Sequence, residues 1–116
     1  MRTTAPQLLF LVTVLVTFQH PAYALSDSQT QSIIRLGELN GIALHCKHLK
    51  SARHIKLSLA ESLPRLRGLG EMFEDETNRS FLEFINSGDS CPGEATIREK
   101  VDQAISIMKQ QFHKPE

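Results

Sequence analysis

The sequence predicts an all-α protein: a small, irregular antiparallel four-helix bundle with one disulfide, preceded by a cleaved signal peptide. Three observations predict this class. Apolar residues recur with the 3.6-residue helical period in four separate segments. No segment shows the strict alternation that is typical of strands. The only two cysteines lie near the ends of two of these segments, where a bond between them would close the bundle.

The first segment of the chain has the three parts of a secretory signal peptide. Arg2 precedes the apolar run Leu8–Phe18, and Ala22-Tyr23-Ala24 supplies the small-x-small pattern that signal peptidase recognises. The apolar run is shorter than the ~20 residues of a membrane-spanning helix, and no later segment is apolar enough to serve as a transmembrane anchor. We therefore expect cleavage after residue 24 and a single exported helical domain, periplasmic or secreted, over residues 25–116.

The first helix is predicted from about Asp27 to about His48. Ser26 and Gln29 have the spacing of a capping box, which marks a helix start. Gly37 and Gly41 indicate close approach of a neighbouring helix. The alternative is a kink at Asn40-Gly41, because asparagine and glycine both weaken a helix. The side predicted to be buried comprises Ile33, Leu36, Gly37, Leu39, Asn40, Ala43, Leu44 and Cys46.

Two further helices are predicted around Pro64. The second begins near Ser51, and proline either kinks it near Leu63 or divides it from the third, since proline lacks an N–H and clashes with the preceding turn. The third runs from about Pro64 to about Asn86, with Gly88 as its stop. The predicted inner stripe of the third helix comprises Leu66, Leu69, Phe73, Thr77, Phe81 and Phe84.

The fourth helix and the cysteines complete the plan. The fourth helix carries a regular apolar stripe from Ile97 to Phe112. Cys46 lies near the end of the first helix and Cys91 just before the fourth. An isolated pair in an oxidising compartment predicts a structural disulfide, and a redox-active dithiol is disfavoured because no C-x-x-C spacing is present.

Composition and the absence of known motifs disfavour several function classes. The chain carries 13 basic and 13 acidic residues, so it lacks the basic excess that nucleic-acid binding requires. No nucleophile elbow, zinc-protease motif, phosphate-binding loop or dinucleotide fingerprint occurs. We expect a protein that is not an enzyme and that has no cofactor.

The charges are unevenly distributed along the chain. Glu71 to Asp89 is mostly acidic, whereas the preceding stretch is basic. One interpretation is a basic contact face for an anionic partner or for the head groups of a membrane surface. The simpler one is that the two runs lie side by side and neutralise each other. The candidate contact face comprises Lys47, Lys50, Arg53, Lys56, Arg65 and Arg67.

A histidine cluster offers an alternative function. His45 and His48 share a helical face and, with His54, could chelate copper, nickel or zinc. The neighbouring cations would repel a metal ion, which favours a solvated polar surface instead. A third hypothesis is a carrier of a small ligand or of haem, with Met72 and Met108 as candidate ligands.

Three separate segments form a recognisable set of motifs: L-G-x-x-N-G-x-A-L-x-C (Leu36–Cys46), F-E-x-x-T-x-x-x-F-L (Phe73–Leu82) and Cys91-Pro92. In these motifs the chain resembles a family of small exported proteobacterial proteins without an assigned function. The resemblance implies a small helical periplasmic domain with paired cysteines and transfers no catalytic residue. The leading hypothesis is a non-enzymatic interaction or accessory module with a protein partner, whose contact surface is the basic face or a groove between helices.

Overall fold

A computed structural model describes residues 24–113. The predicted signal peptide, residues 1–24, falls outside this range apart from Ala24. The described part is all-α and contains no strand, which confirms the predicted class. None of its helices combines the length and the apolar character needed to span a membrane. The helices are α1 (Asp27–His45), α2 (Leu49–Ser62), α3 (Arg67–Ser87) and α4 (Glu94–Gln111).

The ends of α1 follow from local hydrogen bonding. The predicted capping box is confirmed: the Gln29 N–H donates to Ser26 Oγ (3.1 Å) and the Ser26 N–H to Gln29 Oε1 (2.9 Å). The helix ends at His45, earlier than predicted, because Lys47 adopts a left-handed conformation with φ 60°. The His48 N–H then donates back to the Ala43 carbonyl (2.8 Å), which closes a Schellman-type C-terminus.

Pro64 divides α2 from α3. Leu63 is extended, as the residue before a proline prefers, and α3 begins at Arg67 rather than at Pro64. Leu66, which was expected on the inner stripe, precedes α3 and is 41% exposed. The predicted stop at Gly88 is confirmed by its φ of 67°.

α1 is the central helix, since it packs against each of the other three. In the described chain, no Cα atom of α3 lies within 8 Å of α2 or α4. α1 and α4 are antiparallel, because Gln29 Nε2 donates to the Gln111 carbonyl (3.0 Å) at one end and the cysteines meet at the other. α3 runs parallel to α1, as expected for alternate members of an antiparallel bundle.

The predicted disulfide between Cys46 and Cys91 is confirmed, with a Cα–Cα distance of 5.6 Å. It closes a loop that contains all of α2 and α3. The chain-entropy model assigns about 4 kcal/mol of stabilisation to a loop of this length.

The apolar core contains residues from all four helices. It comprises Ile33, Leu36, Leu39, Ile55, Leu59, Leu69, Phe73, Ile97, Val101, Ala104, Ile105 and Met108. Leu44, which was predicted to be buried, is 36% exposed at the end of α1.

The contact between α1 and α3, called the seam below, depends on small residues. A Cβ atom on Gly37 would lie 2.7 Å from Glu76 Cβ, and one on Gly41 would lie 2.6 Å from the Thr77 carbonyl oxygen. The predicted close approach is therefore confirmed, and α1 continues through Asn40 without a break. Asn40 is fully buried in the seam and donates through Nδ2 to Thr77 Oγ1 (3.2 Å).

Candidate functional site

The six cations of the predicted contact face are all exposed and form what we call the basic surface: Lys47, Lys50, Arg53, Lys56, Arg65 and Arg67. Lys47 lies in the turn after α1, the next three lie on α2, Arg65 lies in the connection and Arg67 begins α3. Arg67 pairs with Glu71 one turn along the same helix (3.0 Å). The other five have no carboxylate within 4 Å among the described residues.

The acidic run neutralises only one member of this surface, Arg67, through Glu71. Glu76 and Glu83 pair with Arg79 within α3, and Arg79 also lies 3.9 Å from Glu38 of α1. Hydrogen bonding to Glu76 and Glu83 raises the pKa of the Arg79 guanidinium above its ordinary value. Within residues 24–113, no ion pair links α2 to α3. The interpretation of mutual neutralisation therefore fails, because no Cα atom of α3 lies within 8 Å of α2 and no ion pair joins the two helices in the described residues.

Two leucines interrupt the cations on the outward side of α2. Leu49 is 61% exposed and Leu57 is 57% exposed. The opposite side of α2 is buried through Ala52, Ile55 and Leu59, so the two leucines are not required by the core. Apolar side chains surrounded by unpaired charge are typical of protein-contact surfaces, where the apolar groups lie inside a polar rim.

A cleft of about 440 Å³ separates α2 from α3. Its walls are apolar and its edge carries Lys56, Arg65 and Arg67, with Glu74 as the only acid. A groove between helices was predicted as an alternative contact surface, but its position was not, because it results from the separation of two particular helices. The sequence signal that could have indicated it is the pair of glycines that flank Leu69, Gly68 and Gly70, shortly after Pro64. The apolar walls are formed chiefly by Leu59, Leu63, Leu66, Leu69 and Phe73, with Gly70 between them.

The three histidines of the metal hypothesis have separate environments. His45 packs edge-on against Phe81, with ring centroids 5.5 Å apart, and His48 Nε2 lies 2.8 Å from the Pro92 carbonyl oxygen. His54 is exposed on α2. Over residues 24–113, the structure brings together no group of three or more His, Cys, Asp or Glu side chains suited to a metal ion. Metal binding therefore stays a prediction without a geometric argument in its favour.

The candidate haem ligands pack in or against the core, and the two cysteines are bonded to each other. Met108 is fully buried in the core and Met72 is half-buried against it. Because Cys46 is bonded to Cys91, its thiolate is not available to a metal. A haem-carrier function likewise stays a prediction.

Comparison with known proteins identifies no relative: no family model, no curated protein and no solved structure matches the chain. The resemblance to the exported proteobacterial family therefore remains a prediction. Function has to be inferred from the basic surface and the cleft themselves.

Proposed function

We propose that this protein is an exported, non-enzymatic interaction module whose basic surface binds an acidic segment of a partner protein. The observation that carries the proposal is that five of the six cations have no described carboxylate within 4 Å. Such charges steer an anionic partner and set the register of binding. The disulfide supports export, since disulfides form and persist mainly in oxidising compartments.

An acidic protein segment fits this surface better than a membrane does. Helices that lie on membranes insert Trp, Phe and Leu side chains below a cationic face. The outward side of α2 offers only Leu49 and Leu57, and Glu61 lies on the same helix. Two exposed leucines among the cations of α2 suit the pockets of a protein partner instead.

Site-specific crosslinking tests the proposal in the cell that produces the protein. A photo-reactive amino acid replaces Leu57 in the full chain, and crosslinked products are identified by mass spectrometry. The purified partner is then titrated calorimetrically against the unmodified protein. We expect binding that weakens as the salt concentration rises, because exposed charges are screened.

Matched charge reversals locate the contact. Lys50→Glu with Arg53→Glu should weaken partner binding at least about tenfold, since like charges then face each other. The control, Arg98→Glu with Lys100→Glu, makes the same change in net charge on the exposed part of α4 and should leave binding within about twofold. Equal weakening by both variants, crosslinks to lipid alone, or recovery of the uncrosslinked monomer only would each overturn the proposal.

A further inference from the structure

The cleft between α2 and α3 shares Lys56, Arg65 and Arg67 with the basic surface, but its apolar walls lie apart from the outward leucines of α2. We infer that it binds a small amphipathic anion, a medium-chain alkyl carboxylate, with the alkyl chain against the leucines and the carboxylate beside Lys56 and Arg65. This inference goes beyond the proposed function, since a small molecule rather than a protein segment occupies the site, and it does not depend on it.

The walls of the cleft match an alkyl chain in size and chemistry. The volume of about 440 Å³ lies within the ~300–1,000 Å³ of known small-molecule sites. Leu59, Leu69 and Phe73 are buried core residues, so the inner wall is held in place by the core. Leu66 is 41% exposed although it lines the cleft, and an alkyl chain would remove this apolar surface from water.

The charges at the edge select the sign of the head group. Lys56 and Arg65 have no described carboxylate within 4 Å, whereas Arg67 already pairs with Glu71. Glu74 is the only acid of the lining, which leaves a positive excess at the opening. Arginine and lysine both donate charge-assisted hydrogen bonds to carboxylates. A cationic or neutral amphiphile would leave this excess unmatched.

The absence of a side chain at Gly70 keeps the cleft open. A Cβ atom there would meet no heavy atom within 4 Å, although Gly70 lies in a helix and glycine weakens helices by about 1 kcal/mol relative to alanine. Gly68 has the same open surroundings but does not line the cleft. The two glycines therefore provide a blocking position and a matched control on the same turn of α3.

Calorimetric titration with laurate tests the site. The unmodified protein should bind laurate, and Gly70→Leu should weaken binding at least about tenfold because a leucine side chain occupies the space of the alkyl chain. Gly68→Leu should leave the affinity within about twofold. Absence of laurate binding, or equal binding by both variants, would show that the cleft is not a site for alkyl chains.

The role of charge is tested with the uncharged analogue. Lys56→Gln with Arg65→Gln should weaken laurate binding by about two- to thirtyfold, since each of two exposed charge pairs contributes about 1.4- to fivefold, and leave the weaker binding of lauryl alcohol unchanged. Lys50→Gln with Arg53→Gln, outside the cleft, should not alter laurate binding.

Lauryl alcohol binding as tightly as laurate would refute selection for an anion. Binding to phosphatidylglycerol vesicles without binding to free laurate would replace the site with a membrane-docking surface. Because Lys50 and Arg53 serve the protein contact alone, the two proposals fail in separate experiments.

Discussion

The two sides of α3 differ in how closely their neighbours approach. On the side facing α1, Gly37 and Gly41 lie against α3 with no room for a Cβ atom. On the side facing α2, Gly70 has no heavy atom within 4 Å of a Cβ position, and a cleft separates the helices. Glycine therefore has opposite effects at the two sides of α3. Between α1 and α3 it permits close packing, and between α2 and α3 it leaves open space.

The contacts of the seam therefore fix the orientation of α3 relative to α1. Besides the glycine contacts, Ser80 Oγ donates to the Glu38 carbonyl (2.8 Å) and Asn40 donates to Thr77. The cleft side has no hydrogen bond between α2 and α3 among the described residues. α3 can therefore be held firmly on α1 while its other side stays available to a ligand, and the following predictions test this difference.

The largest effect is expected from Gly41→Ala. The new Cβ atom would lie 2.6 Å from the Thr77 carbonyl oxygen and 2.8 Å from the Phe81 nitrogen, and both are backbone atoms. Because only a shift of a whole helix can relieve this overlap, we expect the free energy of unfolding to fall by about 2 kcal/mol, despite the better helix propensity of alanine. Urea unfolding followed by circular dichroism measures this change. An unchanged or raised midpoint would show that the seam is looser than described.

The buried polar pair of the seam should have the next largest effect. Thr77→Val removes the acceptor for Asn40 Nδ2, while Asn40 Oδ1 already lacks a partner within the described residues. We expect a loss of about 1–2 kcal/mol, the cost of an unsatisfied buried amide. Asn40→Leu combined with Thr77→Val removes both polar groups and should recover most of that loss. If the double variant is no more stable than Thr77→Val in urea unfolding, the hydrogen bond does not account for the effect.

Local patterns in the sequence predicted the four helices, the capping box of α1, the Gly88 stop and the disulfide, because periodicity, capping and turn residues act over a few positions. The close approach at Gly37 and Gly41 was predicted on the same basis. What could not be predicted is which helices meet: the separation of α2 from α3 leaves Lys56 and Arg65 without an ion-pair partner among residues 24–113 and opens the cleft at Gly70. That separation depends on how core side chains distribute around α1, which no local pattern encodes.

The smallest effect, and the one of opposite sign, is expected at the cleft. Gly70→Ala adds a methyl group to open space and removes backbone freedom from the unfolded chain, so the free energy of unfolding should rise by about 0.5–1 kcal/mol. Gly68→Ala, which lies outside the cleft, should give a gain of the same sign in the same urea titration. A loss at Gly70 alone would mean that α2 packs against this position and that the cleft is closed in solution. A gain at both positions, set against the loss at Gly41, would show that the same substitution reports packing on one side of α3 and open space on the other.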